Sequence, residues 1–385
     1  MNYNFSYKLR DLKPQSDVAN NKDIIDFSQE VPSKEVLPEN EFQKISGEIF
    51  SENELSFSNI QDYEPLKTFI KGILFQKGVF DSNDNILLTS GLSNALELLT
   101  RTLTDFGDTV ICEEPCSDSV LNIFKMNGLK VIGVPLNSDG MDTDRLETAM
   151  IKYPNARFIY VTPNFQNPSG ITTSAEKRNE IYSIAHKYNT LIIENDIYGD
   201  LRYSGADEPS EKSLDKDGRV IYVSSFSKIL APSINVGYIC ADSVLISKVL
   251  SVKNACMQMP GIISQMSVKR FFDEFDYFEY TRMLSDYYRT KCELMLENLK
   301  FELPTSISFT EPEGGFYILG TLENGADVER FCNLMLDKKV KLAKGTRFTV
   351  SDKRVTNSFR LNFSYPTDEE IKEGINILGK TLKHV

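Results

Sequence analysis

The sequence is poor in histidine, the side chain that most often serves as an acid or base in enzymes. Its 385 residues include two histidines, His186 within a helical pattern and His384 beside the C-terminus. A catalyst built on this chain therefore needs another base.

Paired cysteine motifs and long apolar runs are also missing. The six cysteines are scattered without CxxC spacing, which argues against a disulfide framework or a zinc site and favours a reducing compartment. No stretch approaches the roughly 18 uninterrupted apolar residues of a membrane span. The start, MNYNFSYKLRDLKP, lacks the charged-then-apolar pattern of an export signal. We therefore expect a cytoplasmic protein without a membrane partner.

Positive charge is in deficit as well. The formal net charge is −12 and the isoelectric point is near 4.9. Because phosphate contacts require a basic stripe and none is visible, nucleic acid is not an expected partner. Small anions would have to be held by local groups that work against the overall field.

From about residue 86 to 240, short apolar runs alternate with helical periods. Helical spacing occurs in 91–108 and 174–189, and the strand-like runs are 85–90, 109–115, 130–136, 157–163, 190–196 and 219–225. This alternation is typical of an α/β fold with a mainly parallel sheet covered by helices on both faces. Ligands of such sheets gather where the carboxyl ends of the strands open into loops.

The last hundred residues have a different pattern, which predicts a smaller α+β domain. It consists of a long helix over 264–300, a strand over 314–320, a short helix over 327–337 and a strand over 358–365. The first 45 or so residues, which contain Pro14, Pro32 and Pro38, are predicted to form an irregular arm. We predict a large domain over 46–278 and a second unit that joins 1–45 with 279–385.

Four polar loops follow strands of the central region and are expected to meet at one edge of the sheet. They offer an amide (Asn167), a carboxylate (Asp196), a phenol (Tyr198), hydroxyls (Ser225, Ser227), a helix N-terminus (Gly91, Leu92, Ser93) and an amine (Lys228). This set suits a phosphorylated pyridine aldehyde. The amine forms a Schiff base, the carboxylate keeps the ring nitrogen protonated, and the hydroxyls and helix start hold a phosphate.

The motifs FIYVTPNFQNPSG, IIENDIYGD, SSFSKILAPSINVGY and SFRLNFS resemble those of class I/II aminotransferases. These are pyridoxal 5′-phosphate (PLP) enzymes of fold type I, and the most similar branch is the aminoadipate aminotransferase-like one. The resemblance runs from IIDFSQEVP to the C-terminal helix. It implies a seven-stranded-type sheet in the large domain, PLP as cofactor, and a homodimer with shared active sites.

The resemblance also implies roles for individual residues. Lys228 matches the Schiff-base lysine and Asp196 the partner of the ring nitrogen. Asn167 and Tyr198 match the groups at the cofactor's 3-hydroxyl, and Asn167 also borders the substrate. The phosphate would be held by Ser225, Ser227 and the helix start at Gly91, Leu92 and Ser93. Arg360 matches the arginine that binds the substrate α-carboxylate, for which a planar guanidinium is well suited.

The sequence departs from the family pattern at several of these positions. Asn235 stands where an arginine usually pairs with the phosphate, and Ser117 stands where a tyrosine usually stacks on the ring. The segment FSNIQD (57–62) replaces one that reaches the neighbouring subunit. Gln29 and Glu30 replace glycines beside the substrate, so they should reshape its pocket. We expect PLP to be held more weakly, or by substitute contacts.

The favoured function is transfer of an amino group between an α-amino acid and a 2-oxo acid, with Lys228 also moving the proton. An alternative is a PLP-dependent lyase, elimination or replacement catalyst, or oxidase on the same fold. Two further alternatives are a non-catalytic effector-binding domain, as in some helix-turn-helix regulators, and a scaffold that no longer binds PLP. The pattern does not specify the amino donor or acceptor.

Overall fold

The computed structural model describes residues 23–51, 62–256, 259–304, 307–323, 326–351 and 356–382. The strands in these ranges are, in chain order, β1 Ile25–Asp26, β2 Asp84–Thr89, β3 Thr109–Glu114, β4 Lys130–Asn137, β5 Gly140–Met141, β6 Phe158–Val161, β7 Leu191–Asn195, β8 Val220–Ser225, β9 Gly237–Asp242, β10 Ser308–Phe309, β11 Tyr317–Thr321, β12 Val340–Lys341, β13 Ala343–Lys344 and β14 Ser358–Asn362.

The helices in the same ranges surround these strands. They are α1 Glu39–Ser51, α2 Glu64–Gln76, α3 Gly91–Leu103, α4 Asp118–Met126, α5 Thr143–Lys152, α6 Ala175–Lys187, α7 Ser243–Cys256, α8 Ile262–Glu274, α9 Tyr277–Glu302, α10 Val328–Asp337 and α11 Asp368–Leu382. No helix in the part of the chain that the structure describes is both long and apolar enough to cross a membrane.

The largest sheet has the strand order β2-β9-β8-β7-β6-β3-β4-β5. Strands β8, β7, β6, β3 and β4 run parallel, β9 is antiparallel to both β8 and β2, and the two-residue β5 is antiparallel to β4. Every residue of β6 and β8 is buried. Continuous apolar runs are expected of parallel strands covered on both faces, so the predicted α/β fold is confirmed.

Two separate apolar cores confirm that helices cover both faces of this sheet. Ile193 and Ile221 pack with residues of α3, α4 and α7, whereas their neighbours Ile192 and Val220 pack with residues of α5 and α6. Successive side chains of a strand point to opposite faces, so each strand contributes to both cores.

The smaller antiparallel sheet has the order β10-β11-β14-β13 and lies in the C-terminal part of the chain. The short β1 pairs in parallel with β12, and the Asn362 amide donates to the Phe27 carbonyl at 2.8 Å. These contacts bring the segment that follows β1 beside Arg360 on β14. The predicted domain boundaries fall inside α1 and α9, and the division stays a prediction.

The single helix predicted over 264–300 was wrong, because α8 ends at Glu274 and α9 begins at Tyr277. Asp276 caps α9 by accepting hydrogen bonds from the amides of Phe278 (3.0 Å) and Glu279 (2.9 Å). An aspartate at this position satisfies amides that would otherwise lack helical partners, so a new helix starts there.

Candidate active site

Lys228 ends a short 3-10 turn, Phe226–Lys228, that directly follows β8. Its amine donates to the backbone carbonyl of Glu30 and lies 5.5 Å from the centre of the Tyr198 ring. Burial, helped by the positive charge of Arg360, lowers the pKa of Lys228 to about 8, although the Glu30 carboxylate acts in the opposite direction. The amine therefore has a substantial neutral fraction near neutral pH.

Asp196 follows β7, and its buried carboxylate is held by two donors. Tyr222 Oη donates to Oδ2 at 2.6 Å, and Asn164 Nδ2 donates to Oδ1 at 2.7 Å. Burial raises the pKa of Asp196, while Lys77 and these two hydrogen bonds oppose that rise. A Cβ at Gly199 would lie 2.2 Å from Oδ1, so a glycine is needed beside this carboxylate.

Tyr198 joins the loop after β7 to the smaller sheet. Its hydroxyl lies 2.9 Å from the hydroxyl of Tyr317 on β11, and both side chains are buried. Burial raises the pKa of Tyr198 well above its usual value, and the nearby Tyr317 adds to this rise. The phenol therefore stays protonated and can donate a hydrogen bond.

Arg360 lies on β14 and is fully buried. Its Nη1 donates to Asn167 Oδ1 at 2.8 Å and to the Glu30 carboxylate, and its Nη2 donates to the Ser28 carbonyl at 2.8 Å. The guanidinium carbon lies 4.3 Å from the centre of the Tyr317 ring. The orientation of the guanidinium is thus fixed by contacts on several sides.

One hydrogen-bond donor of this guanidinium has no acceptor within the described ranges. Arg360 Nε is buried and has no partner there. A buried donor without a partner is costly, so this atom is a reason to expect a bound ligand at Arg360.

Glu30 contacts three of the predicted site residues. Its backbone carbonyl accepts from Lys228, and its carboxylate accepts from Arg360 and from Asn167 Nδ2, the latter at 3.4 Å. Burial alone would raise its pKa, but the positive charges of Arg360 and Lys228 lower it to about 2. By contrast, the neighbouring Gln29 donates its side-chain amide to Asp26 Oδ2 at 2.7 Å.

The predicted phosphate-binding residues meet at one corner of the sheet. Ser225 Oγ lies 3.1 Å from Ser227 Oγ, and Ser225 pairs across the ladder with Gly237. A Cβ at Gly237 would lie 2.9 Å from the Gly91 carbonyl carbon, so the two backbones touch. The two hydroxyls therefore lie near the start of α3, where Leu92 and Ser93 contribute the amides that bind anions at helix N-termini.

Asn235 lies against the same corner in the left-handed conformation, with φ 48° and ψ 43°. A Cβ at Gly91 would lie 2.3 Å from the Asn235 side-chain oxygen, and Gly91 itself has φ +74°. Ser117 is buried at the start of α4, with its hydroxyl 2.9 Å from that of Ser119.

The predicted intersubunit segment lies mostly outside the described residues, which resume at Asp62. The Asp62 carboxylate accepts from the Leu88 amide at 2.9 Å and pairs with Lys253. Asp62 is thereby tied to β2, the strand that leads to Gly91.

Sequence reasoning missed three residues of this site. Asn164 and Tyr222 hold Asp196, and Tyr317 contacts both Tyr198 and Arg360. The sequence does contain a signal for Tyr222, which is the one aromatic residue of the buried strand β8, beside Val220, Ile221 and Val223. Tyr317 comes from the smaller sheet, so local sequence gives no indication that it reaches this site.

Together these groups fit the chemistry of a bound PLP. An amine of lowered pKa, a buried carboxylate, a protonated phenol, and two hydroxyls beside a helix N-terminus lie on loops at one edge of the sheet. The close approach of Gly91 and Gly237 keeps the corner beside the hydroxyls free of side chains that would fill it.

Comparisons with known proteins agree with this reading. A family model described as aminotransferase class I and II matches residues 24–378. Aromatic-amino-acid aminotransferase 1 of Thermococcus litoralis is 29% identical over 98% of this chain and 92% of its own length. The 2-aminoadipate transaminase of Thermus thermophilus is 28% identical over 94% of this chain and 90% of its own length.

A solved aminotransferase structure also resembles this chain along nearly its whole length. The crystal structure of kynurenine aminotransferase from Pyrococcus horikoshii in complex with PMP, KYN and KYA matches with a TM-score of 0.92 and 29% identity, covering 99% of this chain and 97% of that one. These findings confirm the predicted resemblance, the fold type I architecture, the PLP cofactor and the reaction class. The chain belongs to the aminotransferase class I and II family, and it is a PLP-dependent enzyme that moves an amino group between an α-amino acid and a 2-oxo acid.

Proposed function

We propose that Lys228 binds the cofactor covalently and moves the proton in the transamination, and that Arg360 and Asn167 bind the α-carboxylate of the substrate. One observation carries this proposal. A single residue, Glu30, contacts the Lys228 amine through its backbone carbonyl and both Arg360 and Asn167 through its carboxylate.

The chemistry of the substrate explains why this convergence matters. In an α-amino acid or 2-oxo acid, the carboxylate is attached directly to the carbon that exchanges the amino group. The group that reacts at that carbon and the group that binds the carboxylate must therefore be within reach of one small molecule. Lys228 and Arg360 are close enough for this, since Glu30 contacts both of them.

When bound, PLP supplies an aldehyde that takes up amino groups and a ring that withdraws electrons from the reacting carbon. The residues that would hold it are Asp196, Tyr198, Asn167, Ser225, Ser227 and the start of α3 at Gly91, Leu92 and Ser93. The Asp196 carboxylate would hold a proton at the ring nitrogen, and the Tyr198 phenol would donate to the 3-oxygen. The remaining candidates, Ser117, Asn235 and Gln29, would border the ring, the phosphate and the substrate respectively.

The lowered pKa of Lys228 suits it to proton transfer. A general base works best when its pKa is near the operating pH, and a value of about 8 meets that condition. Its neutral Nζ would take the proton from Cα of the amino acid. Arg360 and Asn167 would meanwhile hold the α-carboxylate and so fix the direction of the Cα–H bond relative to Nζ.

Borohydride trapping tests the assignment of Lys228. Reduction of the holoenzyme should leave the cofactor attached at position 228, as mapped by peptide mass spectrometry. Lys228→Ala should lose both the adduct and turnover, whereas Lys248→Ala, a change at an exposed lysine of α7, should keep both. An adduct recovered at another lysine of the unmutated protein would refute the assignment.

We also propose a homodimer with shared active sites and a cytoplasmic location. The dimer is supported by the resemblance to the family, and the location by six free cysteines, five of them buried. Sedimentation at micromolar concentration tests the first proposal, and a fully active monomer would contradict it.

A further inference from the structure

We propose that Glu30 is an internal competitor for the substrate α-carboxylate: its side chain pairs with Arg360 and Asn167, and an amino or oxo acid binds by displacing it. The inference rests on the proposed role of Arg360 and adds to it a residue that sets how tightly carboxylates bind. Its basis is that the Glu30 carboxylate already uses the donors proposed for the substrate, Arg360 Nη1 and Asn167 Nδ2.

The two members of this ion pair are held very differently. The Arg360 side chain is 0% exposed, whereas that of Glu30 is 32% exposed. Arg360 also donates to the Ser28 carbonyl at 2.8 Å and lies over the Tyr317 ring. If the pair separates, the arginine is therefore kept in place by its other contacts, while the glutamate can turn toward water.

The charge of Arg360 requires a carboxylate beside it, and either Glu30 or the substrate can supply that carboxylate. A buried guanidinium left without an anion is strongly disfavoured, so Arg360 requires a partner. Glu30 provides a carboxylate at neutral pH, because the positive charges of Arg360 and Lys228 lower its pKa to about 2. A substrate carboxylate can take over the same role, and the glutamate then recovers its hydration.

This exchange has a consequence for binding. The apparent affinity for any α-carboxylate is reduced by the fraction of molecules in which Glu30 occupies the site. Removing the competing charge should therefore tighten carboxylate binding, which is opposite to the usual result of deleting a polar group from a binding pocket.

Calorimetry on the purified holoenzyme tests this, with 2-oxoglutarate as the probe. Glu30→Gln keeps the shape of the side chain but removes its charge, and should lower the Kd for 2-oxoglutarate by roughly tenfold, the value of one charge-assisted bond over a neutral one. In steady-state kinetics, KM for the oxo acid should fall while kcat changes less. Glu30→Gly, the residue type usual in the family, should act in the same direction and serves if the glutamine variant folds poorly.

Two controls make the measurement specific. Glu35→Gln removes an exposed carboxylate of the same arm and should leave the Kd unchanged. Dimethyl 2-oxoglutarate, which lacks both carboxylates, should bind no more tightly to Glu30→Gln than to the unmutated enzyme. Tightening of the ester as well would mean that the gain does not depend on the ligand's carboxylates, which would refute the competitor.

Arg360→Lys separates failure of this inference from failure of the proposed function. If Arg360→Lys binds 2-oxoglutarate as well as the unmutated enzyme does, the assigned role of Arg360 is wrong and the inference falls with it. If Arg360→Lys weakens binding but neither Glu30 variant tightens it, Arg360 keeps its role and the competitor is refuted. No detectable binding by either Glu30 variant also counts against the inference.

Discussion

The substitution Asn235→Arg tests most directly whether the phosphate site lacks a positively charged side chain. Asn235 stands where the family pattern has an arginine, and it is exposed and lies against Gly91 at the start of α3. The same corner contains the Ser225 and Ser227 hydroxyls, 3.1 Å apart. Asn235→Arg would thus add one positive charge beside a site that offers hydroxyls and a helix N-terminus.

Two opposing terms determine the expected size of the effect. A charge-assisted hydrogen bond contributes about 1.5–3 kcal/mol. Position 235 has φ 48° and ψ 43°, a conformation that asparagine tolerates and that costs arginine about 1 kcal/mol. The net gain of about 0.5–2 kcal/mol corresponds to PLP binding roughly 2- to 30-fold tighter.

Calorimetric titration of PLP into the apoproteins measures this gain directly, and it suits a chain that has no tryptophan for fluorescence. Pyridoxal, which lacks the phosphate, should bind equally well to both proteins. Asn235→Gly, which also permits the left-handed conformation, controls for loss of the asparagine side chain. Equal or weaker PLP binding by Asn235→Arg would refute the reasoning, because the site would then have been rebuilt around other contacts. Equal tightening of pyridoxal would place the effect away from the phosphate.

Two further predictions concern the reacting groups. Asp196→Asn should slow turnover roughly a hundredfold, since a neutral amide does not stabilise a protonated ring nitrogen; borohydride should still trap the adduct, and unchanged turnover would contradict the assignment. The rate of PLP attachment to the apoprotein should rise with pH through about 8 and then level off, because the neutral amine of Lys228 reacts and burial lowers its pKa to that value. At pH 7 this gives roughly 300-fold more neutral amine than an ordinary lysine has. Stopped-flow absorbance measures the rate, and a rise that continues toward pH 10 would show an ordinary lysine.

The parts of the fold that could be predicted from sequence are those fixed by short-range patterns. A run such as FIYV is long enough for a strand, and it is apolar throughout because helices cover both faces of the sheet. Once several parallel strands are placed, their following loops must lie at one edge. The positions of Lys228, Asp196 and Asn167 after strands of the sequence are therefore enough to predict that these residues lie at the same edge of the sheet.

The contacts that complete the site depend on pairing between distant segments. Glu30 and Arg360 are 330 residues apart in sequence. They meet because β1 pairs with β12 and because the Asn362 amide bonds to the Phe27 carbonyl. The sequence marked Glu30 as unusual, but it gave no indication that its carboxylate reaches Arg360. The break at Asp276 was missed for a different reason: its signal is local, but apolar helical spacing continues on both sides of the cap.

The two departures from the family pattern at Glu30 and Asn235 change the site in the same direction. One adds a negative charge where a glycine is usual, and the other removes a positive charge. Relative to the family pattern, the site is therefore more negative by two charges, in a chain whose formal net charge is already −12. Both the phosphate and the substrate α-carboxylate are anions, so each should be bound less tightly than at a site that follows the family pattern. The proposed covalent bond to Lys228 compensates for this in the cofactor, and the exchange at the amino group is common to every amino acid that could serve as the substrate. Contacts to its side chain must then supply more of the binding free energy, and selection among amino acids should depend on those contacts rather than on the α-carboxylate that all of them share.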